Sequence, residues 1–210
     1  MTTIILARHG ETEWNAEEIF RGRVDVDLNE TGIREAELLA EHLSYMTIAA
    51  VYSSPLKRAL QTAEMIARHH DVKVEVSPQL IDLDYGEWQG LSHETVRDRY
   101  GQLYHEWLNS PQLVKMPAGE SLRDVRRRAI SLVEDITAKA EGAIVLVSHR
   151  VIHKVLICAL LALDSSHFWN IRIDTAGISV FAYEDDRFVL TRHNDTSFLK
   201  PIHKAPLSDF

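Results

Sequence analysis

Three segments of the chain repeat one order: an apolar strand, a short polar junction and a helix. The apolar runs are residues 3–7, 48–52 and 143–147, with an alternating run at 72–76 and a late strand pair at 177–183 and 187–193. Strands that alternate with amphipathic helices favour a mostly parallel sheet covered by helices on both faces. The pattern therefore predicts an α/β fold of three αβα layers, in which the late strand pair forms an antiparallel C-terminal edge.

The predicted helix boundaries rest on capping residues. Thr31 is the predicted N-cap of the first amphipathic helix, and Ser54 with Pro55 is predicted to open the second. Ser121 is predicted to cap a long later helix. The arginine run 126–128 on that helix is interpreted as a solvated face, because arginines are mostly exposed.

Residues 77–120 are less regular and rich in Gly, Pro, His and aromatic side chains. We expect them to form an excursion from the sheet, with one or two helices at about 92–100 and 102–109, that covers the ligand crevice. The chain carries no internal repeat, low-complexity tract or linker-like composition. The sequence therefore predicts one domain over residues 1–210.

Charge and cysteine content exclude several classes of protein. The chain has 210 residues and a formal net charge of −8, which disfavours a nucleic-acid binder, since such proteins usually carry a basic footprint. No stretch approaches the roughly 18 apolar residues of a membrane span, so a cytoplasmic protein without a membrane partner is expected. Cys158 is the only cysteine, which excludes an intramolecular disulfide, and its apolar neighbours predict that it packs rather than reacts.

The polar junctions carry the chemistry. Arg8, His9 and Gly10 follow the first strand, Arg58 falls in the first turn after the second, and Ser148, His149 and Arg150 follow the third. Because the carboxyl ends of parallel strands meet at one edge of a sheet, we expect these side chains to converge. Guanidinium groups match phosphate oxygens with paired donors, and helix N-termini add backbone N–H groups. One neutral imidazole can then attack phosphorus, while a second, protonated one stabilises the phosphoryl oxygens.

Six stretches of the chain occur in the order found in one enzyme family. They are RHGETEWN (8–15), RGRVDVDLNETG (21–32), SSPLKRALQTA (53–63), LIDLDYGEWQG (80–90), PAGES (117–121) and VSHR (147–150). The ordered set spans most of the chain and resembles the histidine phosphatase superfamily, in its phosphoglycerate-mutase-like branch. The resemblance implies a phosphoglycerate mutase-like fold and a phosphoryl transfer that uses no metal and no other cofactor.

The resemblance also implies roles for particular residues. His9 would be the nucleophile that becomes phosphohistidine, and Arg8, Arg58 and His149 would complete the catalytic phosphate pocket. Four further positions match contacts to phosphate or substrate in relatives: Asn15, Arg21, Gly22 and Tyr85.

The general acid and base of the family matches Asp82, at a position where most relatives of this branch carry Glu. The side chain of Asp is one methylene shorter, so either the backbone lies closer to the substrate or a water molecule intervenes. Glu87, five residues further on, is the alternative acid. The acid would protonate the departing alkoxide and then take a proton from the attacking water.

Residues around the pocket bear on the choice between a phosphatase and a mutase. Relatives that act as phosphoglycerate mutases carry extra basic residues, whereas this chain has Leu83 after the acid and His93 in place of a Lys. An Arg pair is also absent near Trp107, and Arg150 stands where the family usually has Gly. The balance favours a phosphomonoester hydrolase. A mutase dependent on 2,3-bisphosphoglycerate is the alternative, and a non-catalytic phospho-ligand-binding module is the third hypothesis.

The expected partner is a small phosphorylated metabolite, and neither nucleic acid nor membrane is expected. Leu83, Tyr85, Trp88 and Trp107 predict a partly apolar entrance for the organic leaving group, with packing beneath the excursion as the alternative. Relatives range from monomers to tetramers, so a homo-oligomer is left open, as is the packing of the tail from residue 200 to 210.

Overall fold

A computed structural model describes residues 2–17 and 19–202, and the tail segment 203–210 lies outside the described residues. The strands are β1 (Thr2–Arg8), β2 (Ile48–Ser53), β3 (Val74–Val76), β4 (Gly142–Ser148), β5 (Ile178–Glu184) and β6 (Arg187–Asp195). The helices are α1 (Glu13–Ala16), α2 (Glu30–Leu43), α3 (Lys57–Ala67), α4 (His93–Arg99), α5 (Gly101–Asn109), α6 (Leu122–Thr137) and α7 (Arg150–Leu160). Every predicted strand and helix is present, with ends that shift by a few residues.

The described strands form one mixed sheet in the order β3-β2-β4-β1-β5-β6. The pairs β3–β2, β2–β4 and β4–β1 are parallel, and the pairs β1–β5 and β5–β6 are antiparallel. The predicted mostly parallel sheet with an antiparallel C-terminal edge is therefore confirmed. The continuous apolar runs of β1 and β4 follow from this arrangement, because helices cover these strands on both faces.

The register of β1 against β4 places the predicted catalytic junctions. Arg8 lies opposite Ser148 at the carboxyl end of the pair, and the His9 N–H donates to the Ser148 carbonyl oxygen at 3.0 Å. The N–H of Ser54, after β2, donates to the Val147 carbonyl oxygen at 3.0 Å. The three polar junctions consequently meet at one edge of the sheet, as the parallel topology predicts.

Two apolar clusters, one on each face of the sheet, hold the layers together. Ile4 and Leu6 of β1 belong to the cluster that includes α6, α7 and the excursion, whereas Ile5 and Ala7 belong to the cluster with α2 and α3. This division follows from the period of two along a strand.

The excursion packs its large apolar side chains inward. Leu83, Trp88 and Trp107 are essentially inaccessible to solvent, and the Trp88 ring packs edge-on against Phe20 with centroids 5.2 Å apart. The predicted apolar entrance is therefore wrong for these three residues, which pack beneath the excursion. Full burial of these side chains removes more apolar surface from water, and so stabilises the fold more, than a half-exposed position at an entrance would.

Two predicted helix starts are wrong. The N-cap of α2 is Asn29 rather than Thr31, and its Oδ1 accepts from the Gly32 N–H at 2.8 Å. The N-cap of α3 is Leu56, which supplies no side-chain hydrogen bond. Ser54 lies before this helix start; its Oγ accepts from the Leu56 N–H at 3.3 Å and also lies 2.7 Å from Nε2 of His149.

Of the arginine run on α6, Arg127 is exposed as predicted, but Arg126 and Arg128 are not part of a solvated face. Ser121 caps the helix as predicted, but Arg126 donates to the Leu163 carbonyl oxygen at 2.8 Å. Arg128 is mostly buried and pairs with Glu120 at 3.0 Å. Because buried carbonyl and carboxylate oxygens need donors, these arginines join α6 to neighbouring segments.

α7 is strongly apolar, but no described helix is both long enough and apolar enough to cross a membrane.

Cys158 is buried in α7, and this burial raises the pKa of its thiol. The buried His153 donates to the Leu146 carbonyl oxygen, and burial together with nearby Arg8 lowers its pKa to about 3. A neutral imidazole is therefore part of the folded core.

Replacing His153 with Gln should weaken the loss of stability in acid. Between pH 7 and pH 5 the unfolded chain, whose imidazole has a pKa near 6.5, takes up a proton that the folded protein does not bind. This proton uptake lowers the free energy of unfolding as the pH falls. Without the imidazole, the decrease in the free energy of unfolding between pH 7 and pH 5 should be smaller by about 2 kcal/mol. Urea denaturation at both pH values measures it.

The control is His69→Gln, which removes an exposed imidazole after α3. The absolute stability of His153→Gln is not the readout, because the substitution also changes packing. A drop between the two pH values equal to that of the unsubstituted protein would contradict the assignment.

Candidate active site

His9 lies directly after β1 and is buried at the edge of the sheet. Its Nδ1 is 2.6 Å from the Gly10 carbonyl oxygen. Because a carbonyl oxygen can only accept, Nδ1 carries the proton and donates. Burial, followed by the charges of Arg58 and Arg8, holds the pKa of His9 well below its usual range. The ring is therefore neutral, and Nε2 keeps a lone pair that can attack phosphorus.

A close backbone contact fixes the loop after β1. A Cβ atom at Gly10 would lie 2.2 Å from the Gly32 carbonyl oxygen at the start of α2, so this approach requires glycine. The Gly10 N–H also donates to Oγ1 of Thr62 on α3, at 3.3 Å. Contacts from two helices thus hold the loop that carries the first imidazole.

His149 faces His9 across the site, with ring centroids 5.1 Å apart and an interplanar angle of 60°. Its Nε2 lies 2.7 Å from Ser54 Oγ, and its Nδ1 lies 3.8 Å from Asp82 Oδ2. The carboxylate would repel a lone pair on Nδ1, so the Nδ1–H tautomer is favoured. In that tautomer the Ser54 hydroxyl donates to Nε2.

The state of His149 differs from the expectation that the second imidazole is protonated. Burial, with Arg58 and His9 nearby, holds the pKa of His149 well below its usual range. The ring is therefore neutral, yet its Nδ1–H remains a donor. Nδ1 makes no hydrogen bond to any described residue, which leaves this donor for a ligand.

Two guanidinium groups lie beside the imidazoles. Arg58 is fully buried and donates to the carbonyl oxygens of Val24 and Gly22 at 2.9 and 2.8 Å. Arg8 donates to the Ile173 carbonyl oxygen at 2.6 Å. Both charges lower the pKa of the first imidazole, so both guanidinium groups border the same small volume.

Asp82 brings a carboxylate to this volume. Its Oδ2 lies 3.4 Å from Nη2 of Arg58 and 3.8 Å from Nδ1 of His149, and the side chain is almost completely buried. The alternative acid, Glu87, is exposed and accepts from the Tyr100 hydroxyl at 2.9 Å. The geometry therefore favours Asp82 as the acid at the site.

Arg128, which the sequence does not link to the site, holds the backbone of Asp82. From α6 its guanidinium donates to the carbonyl oxygens of Asp82 and Gln79 at 3.1 and 2.7 Å. Arg127, its exposed neighbour, has the same residue type and lies on the same helix. No local signal separates the two, because the difference lies in the loop that packs against α6.

A narrow cleft opens beside Asp82. Its described lining residues are Ile19, Phe20, Arg21, Gly22, Asp82, Tyr85, His93, Arg150 and Val151. The predicted substrate contacts Arg21, Gly22 and Tyr85 are thus brought together, with Arg150 beside them. Asn15 accepts from the Thr12 N–H at 3.0 Å in the capping box of α1, and its contact with phosphate stays a prediction.

These groups suit a phosphoryl group better than a metal ion. The site combines guanidinium groups, a neutral imidazole with a lone pair, an imidazole N–H donor and a carboxylate. Across residues 2–17 and 19–202, no three His, Cys, Asp or Glu side chains are grouped as a metal site requires. Fold and site together define an α/β enzyme of phosphoryl transfer.

Comparison with known proteins assigns the family. The sequence profile of the histidine phosphatase superfamily (branch 1) matches residues 4–196. The chain is 37% identical over 210 residues to phosphoserine phosphatase 1 of Hydrogenobacter thermophilus, and the match covers 98% of this chain and 100% of the relative. The chain belongs to the histidine phosphatase superfamily.

Solved structures agree with this assignment. YhfR of Bacillus stearothermophilus matches with a TM-score of 0.90 and 29% identity, over 95% of this chain and 100% of that chain. A phosphoserine phosphatase mutant of Entamoeba histolytica, in complex with phosphoserine, matches with a TM-score of 0.85 and 30% identity over the same shares. The predicted family, phosphoglycerate mutase-like fold and phosphomonoester hydrolase class are confirmed.

Replacing Ser54 with Ala should slow the enzyme through the orientation of the His149 ring. Without the hydroxyl donor, Nε2 loses its hydrogen bond, the ring is held less firmly, and its Nδ1–H is less well aligned with a phosphoryl oxygen. We expect kcat on a phosphomonoester to fall by about tenfold or more. Nitrogen-15 NMR of His149 should show the proton still on Nδ1, with the Nε2 signal shifted toward that of an imidazole nitrogen that accepts no hydrogen bond.

The matched control is Ser53→Ala, since Ser53 is also buried and its hydroxyl donates to the Ser54 carbonyl oxygen at 2.9 Å. This control should keep the Nε2 hydrogen bond of His149 and the kcat of the unsubstituted protein. An unshifted Nε2 signal and undiminished kcat in Ser54→Ala would count against the positioning role.

Proposed function

We propose that this protein hydrolyses a small organic phosphomonoester through a phosphohistidine on His9, with water as the final acceptor. One observation carries the proposal: Nδ1 of His9 donates to the Gly10 carbonyl oxygen at 2.6 Å, which leaves Nε2 as the nucleophile. Arg8, Arg58 and His149 surround the same volume. Burial keeps the imidazole in its neutral form, which is the form that attacks phosphorus.

In the first step the phosphate dianion binds between the guanidinium groups of Arg8 and Arg58, and the Nδ1–H of His149 donates to an equatorial oxygen. Nε2 of His9 attacks in line with the bridging ester oxygen, so an N–P bond forms as the P–O bond breaks. Positioning and charge stabilisation supply most of the catalysis in such transfers.

Asp82 donates a proton in the first half-reaction and accepts one in the second. An alkoxide is a poor leaving group, so the acid form of Asp82 protonates the ester oxygen as its bond to phosphorus breaks. The carboxylate then accepts a proton from the water that attacks the phosphohistidine, which releases inorganic phosphate and restores His9. Between the two steps, Arg58 at 3.4 Å stabilises the carboxylate.

The second candidate is a phosphoglycerate mutase, which would return the phosphoryl group to a bound acid. His93 stands where the mutase pattern has a Lys, and burial with Arg150 and Arg21 lowers its pKa to about 4. A neutral side chain there adds no positive charge to hold a second substrate orientation, which supports water as the acceptor. A non-catalytic module is disfavoured, because His9 and Asp82 are both present at the site.

The domain organisation, the location and the partners of the protein follow from the same reading of the chain. We propose that residues 1–210 act as one domain in the cytoplasm on a small phosphorylated metabolite, of which phosphoserine is the first to test, given the names of the relatives. The net charge of −8 supports the absence of a nucleic-acid partner, and no membrane partner is proposed. Sedimentation distinguishes a monomer from a homo-oligomer.

Phosphoserine, 3-phosphoglycerate and other phosphomonoesters should yield inorganic phosphate, and His9→Ala should lose at least about a thousandfold in kcat. Without His9 no covalent intermediate can form, so rapid quenching in alkali should trap a phosphohistidine only in the unsubstituted protein. His105→Ala, which removes an exposed imidazole from α5, is the control. Interconversion of phosphoglycerates dependent on 2,3-bisphosphoglycerate, without phosphate release, would contradict the proposal.

Asp82→Asn should discriminate between leaving groups. Alkyl phosphates need a proton on the departing oxygen, so their kcat should fall by about a hundredfold or more, whereas p-nitrophenyl phosphate, with its stable phenolate, should lose much less. Glu87→Gln tests the alternative acid and should show no such selectivity. Equal losses on both kinds of substrate in Asp82→Asn would argue against the proton-transfer role.

A further inference from the structure

The cleft beside Asp82 holds two guanidinium groups in addition to those of the phosphate pocket. Arg21 and Arg150 line it together. The pKa of Arg21 is lowered to about 9 by burial and by repulsion from Arg8, Arg58 and Arg150. Like charges held together away from water are unfavourable until an anion joins them.

Arg21 connects the phosphate pocket with the outer cleft. The charges that lower the pKa of His9 are those of the two phosphate-pocket arginines and Arg21, whereas the charges that act on His93 are those of Arg150 and Arg21. Arg21 therefore lies within reach of both groups. A substrate whose phosphate is held at His9 can extend along the cleft past Arg21 toward Arg150.

The loop that carries Arg21 is held in place before any ligand binds. Arg58 donates to the Gly22 carbonyl oxygen at 2.8 Å, and Gln89 Oε1 accepts from the Arg23 N–H at 2.7 Å. Gly22 has a φ of +52°, and a Cβ there would lie 2.4 Å from Gln89 Oε1. Nε of Arg21 is buried with no hydrogen-bond partner among the described residues, so a preorganised donor remains unsatisfied.

Tyr85 adds a neutral donor and part of an apolar wall. Its hydroxyl is hydrogen-bonded to the Arg150 side chain, and burial raises its pKa to about 12, so it keeps its proton and can donate to an anion. Phe20 packs against Tyr85 and against His93, with ring centroids 5.0 and 4.2 Å apart. This wall can contact a short carbon chain between two charged ends.

We propose that Arg21, Arg150 and Tyr85 form a subsite for a carboxylate, carried by the substrate a few atoms from its ester oxygen. The inference rests on the proposed function, because the phosphate must lie at His9. A planar carboxylate matches the paired N–H groups of a guanidinium. Arg21 and Tyr85 match substrate contacts in relatives, whereas the family usually has Gly at the position of Arg150, so the second guanidinium of the subsite is the feature that distinguishes this chain.

The first test compares substrates that differ in the carboxylate. The ratio kcat/KM should be higher for 3-phosphoglycerate than for glycerol 3-phosphate by about tenfold or more, and higher for phosphoserine than for phosphoethanolamine by a similar factor. Both preferences should fall by about tenfold in Arg150→Gln, and Arg150→Lys should restore part of them because it keeps the charge. Arg127→Gln, on the exposed side of α6, is the matched control and should keep both preferences.

The second test measures binding without turnover. Calorimetry on His9→Ala with the same four compounds should give a Kd ratio of about tenfold in favour of the carboxylates, and the added change Arg150→Gln should remove it. Ratios within about twofold, or ratios that Arg150→Gln leaves unaltered, overturn the subsite even if the unsubstituted protein releases phosphate. A carboxylate preference in binding with no phosphate release from any compound supports the subsite and overturns the proposed hydrolysis alone.

Discussion

The parallel pairing of β1 with β4 is the constraint on which the site depends. Because Arg8 lies opposite Ser148 in the ladder, His9 and His149 leave the sheet side by side, with ring centroids 5.1 Å apart. The register sets the separation of the two backbones, and the bonds of His9 to Gly10 and of His149 to Ser54 orient the rings. Burial first, and then the charge of Arg58, holds the pKa values of both imidazoles low.

Both imidazoles are neutral, so charge does not distinguish them. They differ in the oxygen atoms that lie beside their ring nitrogens. The carbonyl oxygen of Gly10 fixes the proton of His9 on Nδ1 and leaves a lone pair on Nε2. The Asp82 carboxylate favours the proton of His149 on Nδ1, where it can be donated, and the Ser54 hydroxyl then donates to Nε2. In the mechanism we propose, one residue type thus supplies a nucleophile and a hydrogen-bond donor, set apart by the oxygen atoms that neighbour each ring.

The sequence predicts the strands, their mostly parallel order and the convergence of the polar junctions, because these follow from local apolar runs and the rule for strand ends. It does not predict that Arg128 is mostly buried while Arg127 is exposed, since both share one helix and differ only in the loop packed against them. The helix start predicted at Ser54 is wrong, although its Oγ accepts from the Leu56 N–H at 3.3 Å. The shorter contact of the hydroxyl, 2.7 Å, is with an imidazole 95 residues away along the chain, which no local pattern predicts.

The shorter acid at residue 82 is consistent with the outer cleft. The sequence leaves open whether an Asp reaches the site through a closer backbone or through a water molecule. Arg128 binds the carbonyl oxygen of Asp82 at 3.1 Å, and Oδ2 lies 3.4 Å from Arg58, which supports the closer backbone. A Glu with its backbone held at this point would extend one methylene further into the volume that Arg21 and Arg150 border. In the roles we propose, an Asp there transfers the proton and leaves room for the carboxylate of the substrate.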